Sequence, residues 1–100
     1  MKALPYVISK KAILDLEEIW LHTADKWSIE QADRYYNLIF DEIAFICKSP
    51  RTGKPMDDIR KNYRAAKVKS HLIFFKVEND IVQVVRILHE RMDIKSRLDD

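Results

Sequence analysis

The chain has 100 residues, of which 47% are apolar and 10% are aromatic, and its formal net charge is only +2. This length allows one domain with a small core, which we expect to span residues 1–100, and the apolar content excludes a disordered chain. The lone Cys47 excludes an internal disulfide, and it has no neighbouring cysteine or histidine with which to share a metal ion. We therefore expect no metal site and no redox chemistry.

No apolar run approaches the roughly 18 residues that a membrane span needs. The start, MKALPYVIS, also lacks the long apolar core of a signal peptide, so we expect a cytoplasmic protein with no membrane contact. The charge is uneven, since residues 51–100 hold twelve basic and eight acidic side chains, whereas residues 1–50 hold six and eight. The C-terminal half can attract an anionic partner, or its excess charge is simply a solvated surface.

The pattern of the first half predicts a short strand at about residues 4–8, followed by two helices. Ser9 is suited to cap a first helix at about 10–26. Ser28, with Gln31 three residues later, has the form of a capping box for a second helix at about 29–48. A tight turn joins the two, so they form an antiparallel hairpin. The apolar side chains expected in the core are Ile13, Leu16, Trp20 and Trp27 in the first helix and Ala32, Tyr35, Tyr36, Ile39, Ile43, Ile46 and Cys47 in the second.

The second half predicts a loop followed by three antiparallel strands. The only glycine, Gly53, lies between two prolines in residues 49–60, which indicates a loop. Strands are expected at about 61–69, 71–78 and 81–89, with a short Asn-Asp link between the last two and a short tail after Arg91. Strict alternation in the last strand would place Ile81, Gln83, Val85, Ile87 and His89 on one face and Val82, Val84, Arg86 and Leu88 on the other.

Together these elements predict an α+β fold. The helical hairpin is expected to pack on one face of an antiparallel sheet, which contains the N-terminal strand and a C-terminal three-stranded meander. Both faces of the last strand are largely apolar, so the second face should be at least partly covered.

Each predicted helix also carries a second apolar pair, displaced from its core-facing side chains. At about 100° per residue, Leu14 and Leu21 point well away from the core side of the first helix, and Leu38 and Phe45 do the same in the second. These pairs indicate either a docking surface for an apolar partner or scattered exposed apolar residues, which are normal in proteins.

The sequence lacks the common catalytic motifs, with no Gly-rich phosphate loop, HExxH, CxxC or GxSxG. Basic and imidazole side chains on or beside the meander could hold phosphates, with His89 as a possible general acid or base. An alternative for Arg86 is a structural ion pair with a helix carboxylate. The full set comprises Arg60, Arg64, Lys67, Lys69, His71, Arg86, His89 and Arg91.

Four blocks of sequence occur in an order that resembles the RelE/ParE superfamily of bacterial toxins, and its ParE branch above all. They are SPRTGKP at 49–55, DDIRKNYR at 57–64, SHLIFFKVEND at 70–80 and VVRILHERMD at 84–93. The resemblance covers nearly all of the chain and implies the toxin of a toxin–antitoxin pair. ParE toxins poison DNA gyrase, whereas RelE toxins cut messenger RNA on the ribosome, so the branch decides the function.

The resemblance also allows the two branches to be compared residue by residue. The catalytic arginine of the RelE pattern falls on Leu72 and its C-terminal tyrosine falls near Lys95, so only the basic residue after the last strand is kept, at Arg91. Losing those groups would weaken stabilisation of a ribonuclease transition state. The resemblance therefore favours gyrase inhibition without catalysis. One alternative is a RelE-like messenger endonuclease that uses His89, Arg91, Lys67 and Lys69, with Lys95 as a further partial substitute. The other is an inactive or purely binding homologue.

The implied partners are gyrase and a ParD-like antitoxin in a hetero-oligomer, and no cofactor is implied. Candidate contacts to the target are Arg64, Lys69, Arg86, His89, Arg91 and Arg97. Candidate contacts to the antitoxin are the displaced apolar side chains Leu14, Leu21, Leu38 and Phe45, together with Arg60, Arg64 and Lys67.

Overall fold

The structure is a computed structural model that describes residues 2–98, so Met1, Asp99 and Asp100, at the ends of the predicted domain, lie outside the described residues. The elements in chain order are β1 (Tyr6–Ile8), α1 (Lys10–Lys26), α2 (Ile29–Lys48), a 3₁₀ turn (Pro50–Thr52), β2 (Lys54–Pro55), β3 (Arg64–Val68), β4 (His71–Glu78), β5 (Ile81–His89) and α3 (Ile94–Leu98). Both long helices and the last two strands have the predicted bounds. The short elements β2 and α3 were not predicted, and β1 and β3 are shorter than the strands expected at about 4–8 and 61–69.

The two helices begin at the residues that the sequence indicates. Ser9 Oγ accepts a hydrogen bond from the Ala12 amide, and Ser28 Oγ accepts one from the Gln31 amide, each at 3.0 Å. Each cap satisfies an amide that has no partner within its helix, and such caps typically contribute about 1 kcal/mol. The predicted helix starts are therefore confirmed, together with their chemical cause.

All five strands form one sheet in the order β1-β5-β4-β3-β2. The strands β3, β4 and β5 are antiparallel neighbours, as the predicted meander requires, whereas β1 lies parallel to β5. Asn79 and Asp80 both have positive φ, of 54° and 59°. That is the backbone of a two-residue type I′ turn, whose twist suits a tight hairpin, so the predicted Asn-Asp link is confirmed.

The helical hairpin packs on one face of the sheet, as predicted. The larger core cluster joins α1 and α2 to strand residues such as Ile73, Phe75 and Val82. On the opposite face, a smaller cluster gathers Phe74 and Leu88 under Leu98 of α3 and the segment that precedes β3. The second face is thus partly covered, and the cover includes the unpredicted helix α3.

The alternation predicted for β5 is wrong beyond Val85. Phe75 pairs with Val84 and Phe74 pairs with Arg86, which leaves Val85 as an extra residue in β5. This β-bulge inverts the alternation that follows it. Ile87 therefore joins Val84 in the cluster under the helices, while Leu88 lies in the opposite cluster. The carbonyl of Val85 accepts a hydrogen bond from Ser9 Oγ at 2.8 Å.

Three side chains predicted to lie in the core are exposed instead. Ile13, Trp27 and Tyr36 have 45%, 71% and 38% of their surface exposed, whereas Ala12 and Leu16 are buried. The sheet contacts a narrower strip of α1 than the apolar pattern suggests. Trp27 is the C-terminal cap that follows α1, and its side chain points into solvent.

In residues 2–98, no helix is both long enough and apolar enough to cross a membrane.

Candidate functional surfaces

Four of the candidate residues gather where the meander ends. The amide of Glu90, just after β5, donates a hydrogen bond to the carbonyl of Ser70 in the β3–β4 turn at 2.9 Å. This contact holds the turn, which contains Lys69, against the end of β5. Lys67 ion-pairs with Glu90 at 2.9 Å and lowers the pKa of that carboxyl by its hydrogen bond and its charge. We call Lys67, Lys69, His89 and Arg91 the terminal basic surface.

His89 borders a cleft that brings together all three histidines of the chain. His22 of α1 and His71 of β4 line the same cavity of about 330 Å³. The rings of His71 and His89 meet edge to face with their centroids 5.2 Å apart. Nδ1 of His89 accepts a hydrogen bond from the Arg91 amide at 3.1 Å. Neutral His89 therefore carries its proton on Nε2.

The environment of His71 holds it neutral at physiological pH. Burial lowers its pKa to about 4, and positive charge on His89 and His22 acts in the same direction, against Asp15 and Glu90. Its Nδ1 lies 2.5 Å from the hydroxyl of Tyr35, which also donates to the carbonyl of Val68. Within residues 2–98, no group of His, Cys, Asp or Glu side chains is arranged to hold a metal ion.

Arg86 forms a largely buried ion pair with Asp15 of α1. Its Nε and Nη2 donate to the two carboxylate oxygens at 2.8 and 3.0 Å, and the two side chains are only 13% and 12% exposed. Asp15 also accepts a hydrogen bond from the Ile87 amide, and Arg86 Nη1 donates to the carbonyl of Arg97. The structure thus gives Arg86 the structural role that the sequence allowed as its alternative.

Arg60 and Arg97 lie near Arg86 and away from the terminal basic surface. The three arginines line a cavity of about 290 Å³ with Lys10 and Lys11, at the start of α1. Arg60 donates to the carbonyl of Leu98 at 3.2 Å and stacks on the ring of Tyr63. These candidates form a second basic group, on the face that carries α3.

Arg64 belongs to neither group. It lies at the start of β3, where its Nη1 donates to the carbonyls of Gly53 and Arg51 at 2.7 and 3.2 Å. Asp57 lines the same cavity as Arg64, and it belongs neither to the terminal basic surface nor to the group around Arg86. The basic residues that the sequence grouped together therefore occupy three separate places.

The displaced apolar side chains on the helices are exposed, as predicted. Leu14 and Leu21 expose 58% and 62% of their surface, and Leu38 and Phe45 expose 41% and 49%. Leu21 lines a depression of about 420 Å³ between the two helices, whereas Phe45 lines a separate cavity of about 500 Å³ beside β3. A partner that covers both pairs would have to contact two distinct places.

Residues 6–94 match the family model described as the ParE toxin of the type II toxin–antitoxin system parDE. The chain belongs to the ParE toxin family. It is 38% identical to Toxin ParE1 of Mycobacterium tuberculosis over 94 residues, which cover 93% of this chain and 96% of that protein. It is 33% identical to Toxin ParE1 of Caulobacter vibrioides, with 94% and 97% of the two chains covered.

A solved structure supports the fold of this ParE-family chain. A chain in the chromosomal ParDE toxin–antitoxin system from P. aeruginosa superposes with a TM-score of 0.76 at 18% identity, over 87% of this chain and 96% of the other. At that identity the likeness concerns the fold alone. It confirms the predicted arrangement of a helical hairpin on a sheet with a C-terminal meander.

Proposed function

We propose that this ParE-family toxin inhibits DNA gyrase by contact, without catalysis of its own, and that a ParD-like antitoxin neutralises it in a hetero-oligomer. The observation that carries the proposal is the chemistry at the position where the RelE pattern has its catalytic arginine. Leu72 occupies it and packs partly buried in the smaller core cluster. An apolar side chain there cannot stabilise charge on a phosphate.

The terminal basic surface is the proposed contact with the gyrase–DNA complex. Lys69 and Arg91 are exposed at the same end of the sheet, and His89 lies beside them. Cations at the rim of an interface chiefly raise the association rate by steering an anionic partner. Arg64 and Arg97 remain candidate contacts, but each belongs to a different surface. Arg86 is left out because its guanidinium holds Asp15.

A RelE-like ribonuclease is the second candidate, and one observation favours it. The four side chains of that alternative, Lys67, Lys69, His89 and Arg91, are the members of the terminal basic surface. His89 could exchange a proton there while the cations bind phosphate. Against this, the charge of Lys67 is offset by Glu90, and no aromatic residue stands at Lys95 to stack on a base.

An antitoxin is supported by the solved relatives and by the surface of this chain. The superposed structures come from toxin–antitoxin systems, the second being the RelBE2 complex of Mycobacterium tuberculosis, with a TM-score of 0.66 at 17% identity over 88% of this chain and 99% of the other. The exposed pairs Leu14/Leu21 and Leu38/Phe45 offer apolar anchors at helical spacing. Arg60, Arg64 and Lys67 are the proposed partners for acidic antitoxin side chains.

The deciding experiment measures both activities on one preparation. Purified protein is added to gyrase with relaxed plasmid DNA, and separately to a translating extract whose messenger is mapped for cuts. We expect lost supercoiling and more gyrase-cleaved DNA, with the messenger intact. Lys69→Ala with Arg91→Ala should weaken inhibition, whereas Lys76→Ala, a basic residue elsewhere on β4, should not. Codon-specific cleavage of the messenger with gyrase untouched would establish the ribonuclease instead.

A further inference from the structure

The depression between the two helices is lined by a distinctive set of side chains. Glu17, Trp20 and Leu21 of α1 face Asp33 and Tyr36 of α2 around a volume of about 420 Å³. The indole Nε1 of Trp20 donates a hydrogen bond to Oδ1 of Asp33 at 2.9 Å, which fixes one aromatic ring beside one carboxylate. We call this site the hairpin pocket.

The side chains that line the hairpin pocket include two carboxylates and no basic group. Within residues 2–98, the ion pairs involve neither Glu17 nor Asp33. Residues three or four apart are neighbours on a helix, and none at those spacings from either residue is Lys or Arg. Two carboxylates in one depression favour a cationic group over a neutral one as its occupant.

Aromatic rings complete the pocket. Trp20 and Tyr36 both line it, and the ring of Tyr36 packs against Phe40 with the centroids 4.9 Å apart. The face of an aromatic ring attracts a cation, and a guanidinium can stack on that face while donating paired hydrogen bonds to a carboxylate. Leu14 and Leu21, exposed on the same helix, provide apolar contacts beside the charged site.

We propose that the hairpin pocket binds an arginine side chain of the antitoxin. The charge of the pocket and its aromatic rings select the arginine, and Leu14 and Leu21 accept the apolar residues next to it. This inference rests on the proposed function, in that the partner is the antitoxin. It also divides the antitoxin by charge, since its segment over α1 and α2 carries a cation, whereas its segment over the meander carries acidic side chains.

A small-molecule titration tests the pocket without any partner protein. The probe is N-acetyl-L-arginine amide, and the neutral isostere N-acetyl-L-citrulline amide is the control. The readout is the NMR signal of the Trp20 indole N–H, assigned with a Trp27→Phe variant. We expect a saturable shift with the arginine probe and none with the citrulline control. Glu17→Gln and Asp33→Asn should each weaken the affinity for the arginine probe at least threefold. Glu30→Gln, outside the pocket, should leave the affinity within twofold. Equal shifts with both probes would overturn the proposal.

A second measurement is the affinity for the protein encoded by the reading frame adjacent to the toxin gene, determined by calorimetry. The Glu17→Gln/Asp33→Asn double variant should bind it at least tenfold more weakly than the wild type, with a smaller dependence on salt. The amide oxygen at position 33 of this variant can still accept the indole hydrogen bond, so the fold should survive. Binding of both proteins with equal affinity would overturn the arginine site and leave the proposed function standing. Absence of binding by wild type would count against the proposed partner, while the titration still decides the pocket.

The same variant tests whether a second copy of this chain occupies the pocket. Light scattering after gel filtration should find wild-type toxin monomeric over a tenfold concentration range. A dimer that the double variant abolishes would overturn the antitoxin as occupant.

Discussion

The carboxylate of Asp15 and the guanidinium of Arg86 form a two-point ion pair that ties α1 to β5 across 71 residues of sequence. The pair is largely buried, and Asp15 also accepts the amide of Ile87 immediately after the bulge region of β5. It therefore fixes the helical hairpin against the strand that ends in the terminal basic surface. Stability and the geometry of that surface are linked through this contact.

Asp15→Asn should destabilise the protein by about 3 kcal/mol, because it removes the carboxylate charge that Arg86 pairs with at this largely buried contact. The measurement is the urea midpoint by circular dichroism. The matched control is Lys67→Met, which breaks the exposed pair with Glu90 and should leave the midpoint unchanged within error. Equal midpoints for the two variants would show that the buried ion pair does not contribute to the stability of the fold.

Gyrase inhibition should depend on the terminal basic surface more than on Arg64. Lys69→Ala with Arg91→Ala removes two exposed cations that steer an anionic partner, so half-inhibition should need roughly tenfold more toxin. Arg64→Gln should have a smaller effect on inhibition, because the Arg64 side chain is engaged with the carbonyls of Gly53 and Arg51. The assay is gyrase supercoiling at two salt concentrations. If Arg64→Gln impairs inhibition more than the double variant does, the contact lies elsewhere.

The sequence predicts the helices and the Asn-Asp turn because their causes are local. Ser9 and Ser28 cap amides three residues away, and Asn79 and Asp80 adopt the backbone that their residue types favour. The bulge at Val85 was not predicted, since it depends on how β5 pairs with β4 and on the hydrogen bond from Ser9. Its effect on every later side chain of β5 follows from that single extra residue.

The candidate sites also include some features that local sequence predicts and others that depend on the tertiary structure. The exposure of Leu14 and Leu38 follows from helical geometry alone, so it was predictable. The separation of Arg64 from Arg91 was not, because it depends on which end of the sheet each strand end reaches. The contact of Tyr35 with His71 was missed as well. No local pattern relates a tyrosine of α2 to a histidine of β4, although both were visible as polar groups within apolar segments.

Gly53→Ala should destabilise the protein by about 1–3 kcal/mol, the usual cost of overpacking a core. A Cβ atom there would lie 2.6 Å from Cζ of Phe75 and 3.2 Å from Cβ of Arg64. Both neighbours are fixed, Phe75 by the core and Arg64 by its strand. Thermal unfolding provides the measurement. In a double-mutant cycle with Phe75→Leu, which removes the clashing ring edge, Gly53→Ala should cost much less. Equal costs in both backgrounds would refute the clash.

The antitoxin should lose affinity when the displaced apolar side chains of α2 become charged. Leu38→Asp with Phe45→Asp removes two exposed anchors, each contributing about 1.5–3 kcal/mol when fully buried, so binding should weaken at least a hundredfold. Calorimetry with the product of the adjacent reading frame measures this. Trp27→Asp, at an exposed apolar residue outside the pairs, is the control. Unchanged affinity in a folded double variant would mean that the antitoxin docks away from these residues.

Stability should fall on mild acidification because of His71. Burial and two neighbouring histidines lower its pKa to about 4 in the folded protein, whereas an unfolded histidine has a pKa of about 6.5. Between these values the unfolded chain binds a proton that the folded protein does not. The free energy of unfolding therefore decreases as pH falls from about 6.5 to 4, and above about 6.5 His71 no longer lowers it. The slope is at most about 1.4 kcal/mol per pH unit, reduced by solvent screening.

The measurement is a series of urea midpoints between pH 4 and pH 7.5. His71→Asn cannot take up a proton, and its amide can still reach the hydroxyl of Tyr35, so this variant should have a flatter profile than the wild type. His22→Asn is the control, because that side chain is exposed on α1 and should change the profile less. Identical pH profiles for wild type and His71→Asn would show that His71 titrates normally, and that the contact with Tyr35 opens freely in solution.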